Sequence, residues 1–366
     1  MNQALRVLFA TTHSYLPQRT GGSTVSTHDL CVELIGRGCA AGVLASLESS
    51  GWFGLRTRIR RKLPPQQAFP MDRKMGYPTF RGWRPLEGIP GVVDRFDPSV
   101  VVLQAGRVAP MAKRLVDEGV PTTVYLRDVE FERLGGELEV RPGLCYVANS
   151  GFMARRAREE FGVDSVVIPP LVRPAAYRTD TDRSTVVFVN PHPFKGVDIA
   201  FELATRRPDI PFLFVEAWGV CDDLREEYTR RARSLPNVKW SPRVSDMREV
   251  YSKARLVLVP SVWEEAWGRI PTEAHVSGIP ALASTRGGLP ESVGPGGILV
   301  DPEAPISDWE DALSRLWDDE DQYRQMVGQA LEYSRRPAIQ PENLIARFIE
   351  VLREHAASGA QQRSEI

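Results

Sequence analysis

PSVWEEAWGRIPTEAHVSGIP, residues 260–280, is the most informative stretch of this sequence. An apolar run over 256–259 precedes it and is typical of a buried strand that stops at Pro260. A loop with two carboxylates follows, and a helix is predicted to start near Pro271 and to end at Gly278. This order of strand, loop and helix indicates the carboxyl edge of a parallel sheet, where free amides at a helix start favour phosphate groups.

Two acidic residues of this stretch, Glu265 and Glu273, are separated by seven residues, with Gly268 between them. The pattern PSxxEExxGxxxxEAxxxGxP resembles the signature of the retaining glycosyltransferases of family 4, which have the GT-B architecture. The resemblance implies that Glu265 contacts the hydroxyl groups of a donor sugar and that Glu273 holds the ribose of its nucleotide. Two exposed glutamates beside an ordinary loop are the alternative interpretation.

Length and composition predict a protein of two domains with an ordinary soluble composition. The chain has 366 residues, of which 42% are hydrophobic and 25% are charged, enough apolar material for two cores. Its 46 basic and 47 acidic residues give a net charge of −1, so no overall field attracts nucleic acid. The four cysteines and five histidines lack the spacing of a disulfide framework or of a zinc site.

No targeting or membrane-spanning segment is predicted. The apolar run at the N-terminus is too short for a signal peptide, and no stretch of about 18 apolar residues is available to cross a bilayer. We therefore expect a cytoplasmic protein whose thiols are reduced.

Two glycines, Gly21 and Gly22, lie between a predicted strand over 6–10 and a predicted helix over 25–36. Glycines at this place let a phosphate or a sugar approach the backbone without meeting a Cβ atom. The resemblance implies that this loop faces the donor phosphates. A flexible turn is the alternative interpretation.

A basic amphipathic helix is predicted after the second strand. Apolar side chains recur at intervals of three and four residues among five basic ones, and no acidic residue occurs between Glu48 and Asp72. The apolar residues are Trp52, Leu55, Ile59 and Leu63. This pattern favours peripheral contact with a membrane at its inner face, or an anionic acceptor. A solvated helix that packs its apolar face on its own domain is the alternative. Residues 66–92 are predicted to form a loop.

The strand predicted over 122–126 ends in Arg127 and Asp128. Family 4 chains commonly have a His-Asp pair at this place. Arginine cannot act as a general base, but it can stabilise a leaving phosphate, and Asp128 could orient the acceptor. Either residue could equally form a salt bridge at the strand end.

The segment VFVNPHPFKGVDIAFELA resembles the first strand, loop and helix of the second domain of the family. Lys195 matches the lysine that binds the donor diphosphate, whereas Asn190 stands where arginine is usual. Asn190 and His192 could supply hydrogen bonds, and Arg269 could supply the missing charge. The resemblance places four further residues in the donor site. Arg243 is expected beside the nucleobase, and Ala266, Trp267 and Gly268 belong to the loop that contains Glu265. Trp218 is available to stack on the donor.

Together these patterns predict an α/β protein of GT-B architecture, with two Rossmann-like doubly wound parallel-sheet domains facing across a cleft. Residues 1–170 are expected to bind the acceptor and residues 171–336 the nucleotide sugar. A last helix over 341–355 is expected to return to the first domain, followed by a flexible tail over 356–366.

The resemblance implies transfer of a sugar from a UDP- or GDP-sugar to an acceptor hydroxyl, with retention of configuration and with neither metal nor cofactor. The acceptor could be a glycan, a lipid-linked molecule or a small molecule. Lys195, Glu265, Arg127 and Asp128 are the catalytic candidates. Arg127 and Asn190 depart from the family pattern and motivate an alternative, a non-catalytic partner or regulatory protein that binds a nucleotide sugar. A sugar-nucleotide epimerase or a phosphorylase is the second alternative.

Overall fold

The computed structural model describes residues 4–48, 51–62, 68–217 and 220–364. The chain divides into two compact units. The first comprises Met1–Leu171 together with Pro341–Ile366, and the second comprises Val172–Gln340.

Among the described residues of the first unit, eight strands form one sheet. They are β1 (Arg6–Ser14), β2 (Ala40–Ser46), β3 (Met71–Asp72), β4 (Thr79–Gly82), β5 (Val100–Leu103), β6 (Thr122–Leu126), β7 (Leu144–Ala148) and β8 (Val166–Val167). Their order is β3-β4-β2-β1-β5-β6-β7-β8, and only the edge pair β3 and β4 is antiparallel. The central strands are continuous apolar runs because helices cover both faces of a parallel sheet.

Five helices connect these strands. They are α1 (Gly22–Gly36), α2 (Gly51–Lys62), α3 (Pro85–Phe96), α4 (Val108–Asp117) and α5 (Gly151–Phe161). Local chemistry sets the ends of α5. The Ser150 hydroxyl accepts a hydrogen bond from the Met153 amide at 3.0 Å, and Gly162 ends the helix at a φ of 68°.

The prediction of a loop over 66–92 is wrong, because β3, β4 and most of α3 lie there. Strand β4 contains a fully buried arginine, Arg81, whose charge hides the apolar pattern of a strand. Its guanidinium donates to the Asp72 carboxylate at 2.8 Å and to the carbonyl oxygen of Leu16. The buried charge is tolerated because it is paired and hydrogen-bonded.

The described part of the second unit contains six strands in one parallel sheet. They are β9 (Thr185–Val189), β10 (Phe212–Val215), β11 (Val238–Ser241), β12 (Ala254–Val259), β13 (Ala281–Ser284) and β14 (Gly297–Val300). The order β11-β10-β9-β12-β13-β14 reverses direction between β9 and β12. Ligands of open α/β sheets bind outside the carboxyl ends of the strands at such a reversal.

Seven α-helices among the described residues accompany this sheet. They are α6 (Val197–Arg206), α7 (Asp222–Arg233), α8 (Arg248–Tyr251), α9 (Arg269–His275), α10 (Leu289–Val293), α11 (Ile306–Trp317) and α12 (Glu320–Tyr333). Helices α11 and α12 are two separate elements rather than one continuous helix. The helix breaks before Glu320 because the Asp319 carboxylate caps a new helix by accepting from the Gln322 amide at 2.9 Å.

The last helix, α13 (Pro341–Ser364), belongs to the first unit. The Phe348 ring lies 6.3 Å from that of Phe9 and 5.9 Å from that of Tyr125, measured between centroids. Nε2 of His355 lies 3.0 Å from the carbonyl oxygen of Thr122. The helix predicted over 341–355 continues to Ser364. Its buried side chains complete the core of the first unit.

Candidate functional site

Two loops of the second unit leave the sheet at the same edge, after β9 and after β12. The strands are neighbours, with Phe188 in register with Leu258. The loops also touch, since the amides of Val262 and Trp263 donate to the carbonyl oxygen of Phe194 at 3.1 and 3.2 Å. Residues far apart in sequence are thus brought together at the point where the strand order reverses.

Gly196 allows this close approach. Its φ of 73° is in the left-handed region, and a Cβ atom there would collide with the carbonyl oxygen of Pro260. The glycine lies between the turn containing Lys195 and the start of α6. Both its conformation and its surroundings therefore require glycine.

The central feature of the site is an ion pair between Lys195 and Glu265. Nζ of Lys195 donates to Oε1 of Glu265, and the Ser261 hydroxyl donates to the same oxygen at 2.8 Å. The two side chains are 19% and 16% exposed. A partly buried pair of opposite charges is screened less by salt than a surface pair, so its attraction persists at physiological ionic strength.

Two glycines after β13, Gly287 and Gly288, pack against the backbone of Glu265. The Gly288 amide donates to the carbonyl oxygen of Glu265 at 2.6 Å, and a Cβ atom on Gly287 would lie 2.6 Å from the Glu265 amide nitrogen. The sequence reasoning did not assign these glycines to the site. The GG doublet after β13 was the signal that could have identified them.

Helix α9 begins at Arg269 rather than near Pro271, because Gly268 adopts a φ of 81° and ends the loop. A Cβ atom on Gly268 would lie 2.5 Å from Cδ2 of Leu289. Trp267 is buried against the new helix and donates from Nε1 to the Thr272 hydroxyl at 3.0 Å. The predicted site residue Trp267 therefore packs on protein, and neighbouring Ala266 lies in the half-buried loop.

Glu273 lies at the centre of a buried hydrogen-bond network. Its carboxylate accepts from Nε of Arg269 at 2.9 Å and from the Tyr251 hydroxyl at 3.0 Å. Arg269 also donates from Nη2 to the Tyr177 hydroxyl at 3.0 Å. Burial, followed by the charge of Glu273, raises the pKa of Tyr251 well above its usual value, so this phenol remains a hydrogen-bond donor. Sequence reasoning missed both tyrosines, which come from separate segments.

Asn190 and His192 lie on the loop after β9. Asn190 is buried and has a φ of 66°. Its backbone N–H donates to the carbonyl oxygen of Val215 at 2.8 Å. Nδ1 of His192 accepts from the Phe194 amide at 3.2 Å. Burial and, to a lesser degree, Lys195 lower the pKa of His192, which favours its neutral form.

The structure does not gather every predicted residue at the β9–β12 edge. Arg243 is exposed after the edge strand β11, two strands from β9. Gly21, Gly22, Arg127 and Asp128 belong to the first unit, which is described by itself. Trp218 lies outside the described residues, as does Leu63 of the basic amphipathic segment.

In the first unit, Gly21 is the N-cap residue of α1 and Gly22 is its first residue. Arg127 is buried and donates from Nη2 to the Thr27 hydroxyl at 2.8 Å and to Oε1 of Gln104. Its guanidinium carbon lies 4.7 Å from the centre of the Tyr125 ring. Half-buried Asp128 follows at the carboxyl end of β6. Arg127 therefore packs within the unit by hydrogen bonds and a ring contact.

The described ranges of the chain contain no group of three or more His, Cys, Asp or Glu side chains that could hold a metal ion. None of their helices combines the length and the apolar character needed to cross a bilayer.

Comparison with curated proteins finds relatives that match part of the chain. The D-inositol 3-phosphate glycosyltransferase of Corynebacterium diphtheriae is 35% identical over 155 residues, which cover 38% of this chain and 36% of that protein. The protein of the same name from Corynebacterium aurimucosum is 31% identical over 229 residues, covering 57% of this chain and 50% of that protein. The chain thus spans half or less of the length of these curated relatives.

Solved structures resemble the whole fold. Anabaena HepE in complex with UDP has a TM-score of 0.73 and 17% identity, and the alignment covers 96% of this chain and all of that one (100%). The same protein in complex with UDP-glucose has a TM-score of 0.72 and 17% identity, with 95% and 99% covered. This likeness, with two parallel-sheet units, confirms the predicted GT-B architecture.

The matched family model is that of the glycosyl transferases group 1, and it covers residues 174–332. These residues lie entirely within the second unit and include both the Lys195–Glu265 pair and the Glu273 network. Through residues 174–332, this chain is similar to the glycosyl transferases group 1.

Proposed function

We propose that the protein transfers a sugar from a nucleotide-diphosphate sugar to an acceptor hydroxyl. The observation that carries this proposal is the Lys195–Glu265 pair, held between the loops after β9 and β12 in the part of the chain that matches the family model. The structurally similar Anabaena protein is in complex with UDP and with UDP-glucose, which supports a UDP-sugar. A GDP-sugar is the other proposed donor.

In this proposal Lys195 stabilises the leaving diphosphate. Its ammonium group is compensated by Glu265 in the structure, so an incoming phosphate would share or replace that partner. Glu265 would then be available to accept hydrogen bonds from the hydroxyl groups of the donor sugar. Preorganised positive charge at a leaving group is the kind of stabilisation that lowers a barrier most.

Glu273 is the proposed ribose ligand, with Arg269 and Tyr251 as its supports. Both supports donate hydrogen bonds to the carboxylate and hold it in one orientation. An ionised carboxylate can accept hydrogen bonds from both hydroxyl groups of a ribose. Arg269 would add positive charge near the phosphates.

The reaction we propose is metal-independent and retains the anomeric configuration. The bond between the anomeric carbon and the phosphate oxygen breaks, and the acceptor oxygen forms its bond to that carbon on the same face. The departing phosphate oxygen takes the acceptor proton, so no protein base is required. Asp128 is the proposed acceptor-orienting residue, and the role we propose for Arg127 is to stabilise the leaving phosphate.

The alternative is a nucleotide-sugar-binding protein without turnover. Arg127 favours it, because the side chain that stands where histidine is usual is buried against Thr27 and Gln104. Asn190 points in the same direction, since it is neutral where the family commonly has a cation.

We also propose peripheral membrane contact through α2. The sequence left open which way its apolar residues face, and in the structure Trp52, Leu55 and Ile59 are 79%, 43% and 53% exposed. The face toward the domain contains Phe53 and Thr57 instead. Exposed Arg56, Arg58 and Lys62 flank the apolar residues, which suits an anionic lipid surface.

One experiment separates the proposed function from the alternative. The full chain is incubated with a panel of UDP- and GDP-sugars, with and without a cell extract as acceptor source, and nucleotide release is measured. We expect release that depends on the extract and is unchanged by EDTA. Nucleotide binding without release would support the non-catalytic alternative, and an EDTA-sensitive rate would contradict metal independence.

A further inference from the structure

Three aromatic rings form a row beside the Lys195–Glu265 pair. The Phe194 ring lies 4.9 Å from that of Trp263 and 5.0 Å from that of His192, measured between centroids. Phe194 is 48% exposed and Trp263 is 37% exposed, although large apolar side chains usually lie inside a protein. Val262, next to Trp263 in the loop after β12, is 45% exposed. These neighbouring side chains offer an apolar surface to a ligand.

The row is held rigidly by backbone hydrogen bonds. The carbonyl oxygen of Phe194 accepts from the amides of Val262 and Trp263, and the Phe194 amide donates to Nδ1 of His192. Pro193 further limits the conformations of this loop. A surface that is already ordered loses little entropy when a ligand binds.

The position of the row indicates which part of a ligand it meets. Phe194 immediately precedes Lys195, and Trp263 lies two residues before Glu265. The nucleoside end of the proposed donor lies instead at Glu273 and Tyr251. The rings therefore adjoin the end of the site where the sugar is transferred.

We infer that the row Trp263–Phe194–His192, which we call the aromatic platform, is a subsite for a pyranose ring of the acceptor. This inference rests on the proposed function and names the class of acceptor, a saturated sugar ring. Such a ring has an apolar C–H face that packs on aromatic faces, while its hydroxyl groups stay hydrated or reach polar neighbours. Because Nδ1 of His192 accepts a hydrogen bond, the neutral ring has its proton on Nε2 and can donate to a hydroxyl.

The test uses ligand-observed saturation-transfer NMR on the full chain, with methyl α-D-glucopyranoside as the probe. We expect saturation of the ring C–H protons in the parent. The double variant Phe194→Ala/Trp263→Ala should bind the probe about tenfold more weakly, the effect of losing about 1.4 kcal/mol. The matched control is Trp83→Ala, which removes another exposed tryptophan, 42% exposed, from the first unit and should leave the signal unchanged.

Two further measurements make the result decisive. UDP binding, followed in the same samples, should be equal in the parent and in the double variant, which shows that the variant is folded and tests the donor proposal separately. Glu265→Gln should leave the glucoside signal intact if the probe lies on the aromatic platform. An unchanged signal in the double variant, no signal in the parent, or a signal that only Glu265→Gln removes would overturn the inference. The inference would also be overturned if uridine gave a signal that the double variant loses while the glucoside gave none.

Discussion

The ammonium group of Lys195 donates a hydrogen bond to Oε1 of Glu265, although 70 residues of sequence separate them. The contact exists because β9 and β12 are adjacent and because Gly196 lets their loops touch. Neither charge is freely hydrated, since both side chains are largely buried. The pair therefore links the fold of the second unit directly to the chemistry proposed for it.

Lys195→Ala is expected to reduce turnover about 10²–10³-fold, the usual effect of removing one preorganised donor from a developing negative charge. The loss should appear in the rate of nucleotide release at saturating donor. Lys239→Ala is the control, because Lys239 is an exposed lysine on the edge strand β11. Equal rates for Lys195→Ala and the parent would remove Lys195 from the catalytic site.

Glu273→Ala should weaken nucleotide binding more than it changes the preference among sugars. The substitution also leaves the guanidinium of Arg269 and the Tyr251 hydroxyl without the carboxylate that they share, which costs stability of about 3–5 kcal/mol for a buried pair. Calorimetric titration with UDP, at a temperature where both proteins are folded, measures the effect. Tyr251→Phe keeps the Arg269–Glu273 pair and should lose less affinity. Superimposable titration curves for Glu273→Ala and the parent would refute the ribose role.

A left-handed backbone alone costs a non-glycine residue about 1–2 kcal/mol. Gly196→Ala should destabilise the second unit by more than this amount. The added methyl group would collide with the carbonyl oxygen of Pro260. Gly162→Ala is a matched control, because Gly162 has a similar φ of 68° but no atom within 4 Å of the added Cβ. Thermal unfolding of both variants checks this. An equal decrease in midpoint would mean that the two loops can separate without cost.

The stability of the second unit should decrease as the pH falls below about 6.5. Burial lowers the pKa of His275 from 6.5 to about 3, Arg336 adds to the effect, and a backbone hydrogen bond with Gly296 opposes it. The unfolded chain therefore binds a proton that the folded chain does not, and the free energy of unfolding falls by up to about 1.4 kcal/mol per pH unit. Urea unfolding at several pH values gives the free energy of unfolding at each pH. Between pH 6.5 and lower values this free energy should fall less steeply for His275→Gln than for the parent. An equal dependence on pH in both proteins would show that His275 is not the group responsible.

Charge reversal on α2, Arg56→Glu with Arg58→Glu, should abolish sedimentation with vesicles that contain phosphatidylglycerol. Each basic residue near an anionic surface contributes about 1 kcal/mol, and the reversal replaces attraction by repulsion. The control reverses two exposed arginines of α7, Arg230→Glu with Arg233→Glu, and should bind like the parent. A parent that does not sediment with these vesicles would contradict the membrane proposal.

Local patterns predicted the order of elements in residues 260–280. Pro260 follows the end of β12 as predicted, by chemistry that does not depend on the rest of the fold. Both ends of the helix were misplaced. It begins at Arg269 because the left-handed Gly268 caps it before Pro271, and it ends at His275 rather than at Gly278. The GT-B architecture was likewise predicted and is confirmed by the likeness to solved structures. The resemblance to the family is matched over residues 174–332.

Features that depend on distant partners could not be predicted. Strand β4 escaped notice because Arg81 is paired with the Asp72 carboxylate and hydrogen-bonded to the carbonyl oxygen of Leu16, which the sequence does not mark as neighbours. Tyr251 joins Glu273 only after the second sheet has formed. Periodicity located the amphipathic helix α2, but it cannot tell which side of a helix meets the domain.

Helix α13 has a consequence for synthesis on the ribosome. The first unit obtains the layer that contacts Phe9 and Tyr125 only from a segment translated after the whole of the second unit. Domains usually fold as they emerge, the N-terminal one first. In this chain the first sheet is synthesised early, but the rings of Phe9 and Tyr125 stay uncovered until Phe348 leaves the exit tunnel.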